Sequence, residues 1–213
     1  MPTILTIGHS THTIDEFIRM LQARDVEIVV DVRSSPHSKR FPQYSRETLQ
    51  TSLKQHGIRY LFLGRELGAR RTERECYVAG KAEYERIAKL PVFAEGISRV
   101  LTGAAEYRIV LMCAEHDPLT CHRTVLVCRY LKKHDLALAH ILRDGRVEPH
   151  EQAEHRLMLE EGENPDQTDI FAAADEFDSA LTRAYTRRGD RIAYREGGTE
   201  DEDSHDRLHE EKR

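Results

Sequence analysis

No stretch of this sequence carries the ~20 consecutive apolar residues that a helix needs to cross a bilayer. No C-x-x-C pair occurs among its four cysteines, Cys76, Cys113, Cys121 and Cys128, which argues against a standard zinc ribbon. The opening MPTILTIGHS is short and polar and lacks the basic segment of a secretory signal. A cytoplasmic protein without membrane contact is the expectation, and in that compartment the cysteines are thiols rather than a disulfide framework. Positive charge is not in excess either, the formal net charge being −5. Any affinity for nucleic acid must therefore rest on a local patch.

What is present is a chain of 213 residues, 39% hydrophobic and 32% charged, enough for one sizeable core. Residues 1–162 hold 24 Lys and Arg against 22 Asp and Glu, a balance of +2; residues 163–213 hold 8 against 15, a balance of −7. The body is thus a different kind of polymer from the C-terminal segment. The expected division is a single α/β domain over 1–162, an appended helix over 163–187 and a disordered charged tail over 188–213.

Hydrophobic periods alternate along the body. TILTI (3–7), EIVVDV (27–32), IRYLFL (58–63), YRIVLMC (107–113) and LALAHIL (136–142) read as buried strands. Between them, residues 13–25, 45–57, 82–103 (interrupted at Pro91) and 121–134 read as helices, with 148–162 as the last helix of the body. Such alternation predicts a three-layer α/β sandwich with a mostly parallel sheet of about five strands. Ligands of such sheets bind outside the carboxyl ends of the strands. The segments after the first four strands, GHST, RSSPHSKRFPQYS, GRELGARRTEREC and AEHDPLTCHR, hold most of the chemically suggestive residues.

The fourth of these is the richest. Pro118 suits a turn and Thr120 an N-cap, which would put Cys121, His122 and Arg123 in the first helical turn. A thiol there meets the positive end of the helix dipole, which favours the thiolate. Cys113, at its strand end, should share the site as nucleophile, redox partner or metal half-site; the plain alternative is a pair of small buried hydrophobes. Glu115 is a candidate base, as are His9 and His122. Gly8 permits close approach after the first strand, with Ser10 beside it. Arg33, Ser34 and Arg123 suit recognition of a phosphate or carboxylate, although Arg33 is also placed to pair with Asp31. Arg65, Arg70, Arg71 and Arg74 add a basic rim that the acidic tail could occupy in cis. Cys113, Cys121, His122 and His9 offer thiolate and imidazole ligands, but side chains adjacent on a helix diverge, so no metal and no cofactor is assigned.

The motifs TIGHST (6–11), VDVRSSPHSKRFPQY (30–44), FLGRELGARR (62–71) and CAEHDPLTCHR (113–123) resemble a bacterial and archaeal family, domain of unknown function 488, over about residues 3–158. The resemblance implies an α/β fold and an undetermined activity. VVDVR also looks like a strand of rhodanese domains. However, the arginine expected six positions after a catalytic cysteine is Leu119 after Cys113 and Val127 after Cys121, so that likeness is set aside.

The functional expectation is a cysteine-dependent hydrolase or transferase acting on a phosphate-bearing, nucleotide- or nucleic-acid-related substrate. Cys121, Cys113, His9, Glu115 and His122 are its candidate catalytic residues, and Gly8, Ser10, Arg33, Ser34, Arg65, Arg70 and Arg123 would bind substrate. The alternatives are a nucleotide or nucleic-acid binding module with structural or metal-bound cysteines, and a thiol redox sensor. A homodimer is compatible with all three.

Overall fold

Apolar, largely β-branched runs become the centre of a sheet in the computed structural model, which describes residues 1–165 and 174–196. β1 (Thr3–Gly8) is followed by α1 (Ile14–Gln22), β2 (Ile28–Asp31), α2 (Arg46–Gln55) and β3 (Arg59–Phe62). An insertion then carries α3 (Gly64–Leu67), the hairpin strands β4 (Tyr77–Val78) and β5 (Lys81–Ala82), and α4 (Tyr84–Ile87). α5 (Pro91–Glu106) leads to β6 (Ile109–Cys113), and a π-helix (Arg123–Cys128) continued by α6 (Arg129–Leu131) leads to β7 (Ala137–Ile141). β8 (Val147–Pro149), α7 (His150–Glu160) and α8 (Ala174–Ile192) complete the order.

The main sheet runs β3-β2-β6-β1-β7-β8. Every neighbouring pair is parallel except β7 with β8. The three-layer, mostly parallel architecture is therefore present, with one strand more than the sequence marks. β8 escapes a periodicity reading because it has three residues and ends in Pro149; a proline without its N–H is tolerated at such an edge. Residues 148–149, expected in the last body helix, belong to this strand.

Each face of the sheet has its own core. Phe17, Ile18 and Leu21 of α1 and Leu49 and Leu53 of α2 cover Ile7, Val29, Val110 and Met112. Phe93 and Val100 of α5, Val125, Leu126, Leu131, Leu157 and Leu181 cover Ile4, Val30 and Leu111 on the other face. β6 lies between them, buried at all five residues. α1 starts where Thr13 accepts from Glu16 N and Glu16 caps Thr13 in return.

This arrangement fixes the crevice. The chain leaves β1 toward α1 on one face and leaves β6 toward the π-helix on the opposite face. β1 and β6 are adjacent, so their departing loops part at their carboxyl ends, the usual ligand position of such sheets.

Two boundaries move. The helix expected over 82–103 is two, α4 and α5, and Pro91 opens the second at a position where its missing N–H costs nothing. The C-terminal helix runs past 187 to Ile192, and Arg188, placed in the tail by its polarity, is buried with its guanidinium on Glu160 and Glu161. Residues 193–196 then join the insertion: Ala82 N–H donates to Tyr194 O at 2.9 Å and Glu196 N–H to Gly80 O at 2.7 Å. Residues 166–173 of the helix expected over 163–187, and the tail from 197, lie outside the described residues. Among the described residues no helix is long and apolar enough to cross a membrane.

Candidate functional site

Pairing between β1 and β6 continues past the strand ends: His9 N–H donates to Cys113 O at 2.9 Å, and Ser10 N–H to Ala114 O at 2.8 Å. Gly8 makes this approach possible. A Cβ there would stand 1.8 Å from Glu115 O, so any side chain would drive the two loops apart. Ser10 adopts φ 46, an uncommon conformation for a residue with a side chain.

Cys113, the last residue of β6, meets the segment that opens the π-helix. Thr120 is not the N-cap; its hydroxyl turns back to Asp117 O in a 3₁₀ turn over Pro118–Thr120. Cys121 is extended (φ −130, ψ 139) and stands before the helix rather than in its first turn. Its own Sγ takes the capping position, accepting from Arg123 N–H at 3.4 Å. Because only His122 has helical geometry, the two neighbouring side chains converge instead of diverging. His122 Nδ1 lies 3.6 Å from Cys113 Sγ and 3.9 Å from Cys121 Sγ. These three ligand-type atoms all lie within 4.8 Å of one another, and all three residues are buried. On its far side, His122 Nε2 is 3.0 Å from Val32 O, the geometry of an N–H donated to that carbonyl.

Glu115 faces both thiols, and its Oε2 is buried without a hydrogen-bond partner. Ser10 Oγ and Thr124 Oγ1 are also buried and unpartnered. The charges are ordered. Burial pushes the Cys113 thiol well above its ordinary value, and its contact with Cys121 pushes the same way. Burial also raises Cys121, but the hydrogen bond from Cys113, the Arg123 guanidinium and His122 outweigh it, leaving that thiol far below the usual range. His122 rises against its burial because the Cys121 sulfur faces it, and Glu115 rises chiefly through burial. These shifts favour the thiolate at Cys121 and the protonated forms at Cys113, His122 and Glu115.

Arg123 has no exposed surface. Its NH1 donates to Glu115 O at 2.7 Å, NH2 to His116 O at 3.3 Å and Nε to Thr6 Oγ1 at 3.4 Å. The guanidinium thus holds the 115–116 backbone in place.

His9 and Arg33 form a second assembly toward the other face. Arg33 pairs with Asp31 through Nε (3.0 Å) and NH2 (2.7 Å), and NH2 also reaches Tyr44 O at 2.9 Å. Its NH1 lies 3.3 Å from His9 Nε2, while His9 Nδ1 lies 3.0 Å from Ser10 O. The His9 ring stacks on Tyr44 at 4.1 Å. Burial and then Arg33 push His9 down to about 3, so it is neutral at physiological pH.

The remaining candidates lie apart from the cysteines. Ser34 Oγ accepts from Arg70 N–H at 2.9 Å, the exposed Arg70 guanidinium lies over the Tyr194 ring, and Arg65 is exposed. The rim is partly neutralised: Arg71 pairs with Glu73, and Arg74 with Glu196. The sequence reading missed Tyr84, whose buried phenol feels the charges of Cys121, Glu115 and Cys113. It also missed a buried chain behind Arg123. Thr6 Oγ1 contacts His140 Nδ1 at 2.8 Å, His140 Nε2 contacts His150 Nδ1 at 2.9 Å, and Tyr185 OH joins His150 to Glu154. These partners are far apart in sequence, so no local pattern announces them.

No curated protein and no solved structure matches the chain. The sequence model of one family, described as Domain of unknown function DUF488, matches residues 13–130, a span holding three of the four motifs and both Cys113 and Cys121. That span exceeds half of the 213 residues, and the chain belongs to the DUF488 family.

Proposed function

We propose that the chain is a cysteine-dependent hydrolase or transferase for a phosphate-bearing substrate, with its reacting centre at Cys113, Glu115, Cys121 and His122. One observation carries this reading: Glu115 Oε2 is buried without a partner beside two thiols and an imidazole. An unsatisfied buried polar group costs about 1–3 kcal/mol, which a bound ligand would recover. Glu115 is the proton carrier, Ser10 Oγ an unused hydroxyl at the crevice, and Arg123 the residue that positions the Glu115 loop. Arg33 and His9 spend their hydrogen bonds on each other and on their neighbours, so in this reading they shape the crevice rather than react. The exposed Arg65 and Arg70, in the segment that follows β3 at the same sheet edge, add positive charge that favours a phosphate group.

The test is turnover of a panel of phosphomonoesters, phosphodiesters, nucleotides and nucleic acids by the full chain. Glu115→Gln should lower kcat about 10²–10⁴-fold with a small change in KM. Binding without turnover would favour a nucleotide-binding module, and reversible Cys113–Cys121 oxidation as the only activity would favour a redox sensor. Either result removes the enzyme reading.

A further inference from the structure

Three donors converge from two segments of chain: Cys113 from the end of β6, and Cys121 and His122 from the start of the π-helix. Zinc bonds of about 2.3 Å to sulfur and about 2.0–2.1 Å to nitrogen, at tetrahedral angles, place a thiolate and an imidazole about 3.6 Å apart. The two sulfur-to-nitrogen distances here are 3.6 and 3.9 Å. The imidazole is oriented as ligating histidines are, with the nitrogen away from the sulfurs at a backbone carbonyl, Val32 O. The Arg123 amide at Cys121 Sγ supports a sulfur carrying charge. Counted formally, two thiolates and an ionised Glu115 beside Arg123 leave a charge of −2 in a buried space, which a divalent cation cancels. Glu115 lies outside the triangle of donors, with its Oε2 unused.

We propose that Cys113, Cys121 and His122 bind one divalent transition-metal ion of zinc's kind, with a fourth coordination position open to water beside Glu115. Two sulfurs and a nitrogen select against magnesium and calcium. Three protein ligands with an open position are the pattern of catalytic rather than closed structural sites. The reaction it would serve rests on the enzyme reading above; the binding of metal does not. In that reaction, water on the ion loses a proton to Glu115. Its oxygen bonds to the electrophilic carbon or phosphorus of the substrate, the bond to the leaving group breaks, and Glu115 returns the proton to that group.

The experiment is elemental analysis of the full chain purified without chelator, followed by titration of the metal-free protein with Zn²⁺ and Co²⁺. About one ion per chain is expected, with thiolate-to-cobalt charge-transfer absorption and protection of Cys113 and Cys121 from alkylation. Cys113→Ser, Cys121→Ser and His122→Gln should each weaken binding by more than the about 10–100-fold typical of losing an outer partner. If a variant fails to fold, alkylation protection in the unmutated chain decides. Absence of stoichiometric uptake together with unprotected thiols overturns the proposal. Turnover that persists in metal-free protein overturns the part given to the ion in the reaction, while its binding and the enzyme reading stand. Stoichiometric metal with no turnover sustains it while the enzyme reading falls.

Discussion

Two buried polar assemblies flank the same strand ends, and they are built on opposite terms. On one side, Arg33 satisfies both oxygens of Asp31 and reaches Tyr44 O and His9, while His9 uses both ring nitrogens. On the other, Glu115 keeps a buried Oε2 with no partner beside the two thiols. The histidines respond accordingly. His9 is driven down by burial and Arg33; His122 is drawn up, against its burial, by the Cys121 sulfur. A closed network stabilises the fold, whereas an open one waits for something to complete it.

Arg33→Ala should break this contrast most strongly. It leaves Asp31, which has no exposed surface, without its counter-charge and with only Tyr60 OH and the residue 33 N–H as donors, and removing one member of a buried pair costs about 3–5 kcal/mol. Denaturant unfolding measures this, and a loss below about 1 kcal/mol would contradict a closed network.

An intermediate effect comes from pH. His9 is held at about 3, and His140 well below its ordinary value by burial, then by His150 and Arg123. Both folded values lie under the unfolded value of about 6.5. Below that pH the unfolded chain therefore binds more protons, and the stability these groups contribute is lost as pH falls. Each contributes a slope of up to about 1.4 kcal/mol per pH unit, or about 2 kcal/mol for the pair between pH 6.5 and 5.5. His140→Gln should halve that slope in unfolding measurements across this window. A slope unchanged in the variant would show that His140 is protonated in the fold.

The smallest effect is expected at Glu115. Since its Oε2 supports nothing, Glu115→Gln should shift stability by less than about 1 kcal/mol, in either direction. A loss comparable to that of Arg33→Ala would mean that the open side is as structural as the closed one.

Much of the architecture was legible locally. The five recognised strands are predominantly apolar runs, and polar residues are left mainly to the loops between them. The pair Asp31 and Arg33, two residues apart at the end of one strand, was also legible, as was the sharing of one loop system by Cys113 and Cys121. Burial of Arg188 was not, because a charged residue is buried only when distant partners, here Glu160 and Glu161, neutralise it.

The sequence by itself determined the alternation of strand and helix, the edge at which the polar loops gather, and the placing of Cys113, Glu115, Cys121 and His122 in one short segment between a strand and a helix. Tertiary structure alone decided that Cys121 stays extended so that its sulfur converges with that of Cys113 on His122, and that Val32 O aims the ring. It also decided that Thr6 and His140, 134 positions apart, meet behind Arg123. The reason is physical. Periodicity reports which face a residue turns toward its own element, whereas a hydrogen bond across the sheet depends on strand order, which no short stretch of sequence encodes.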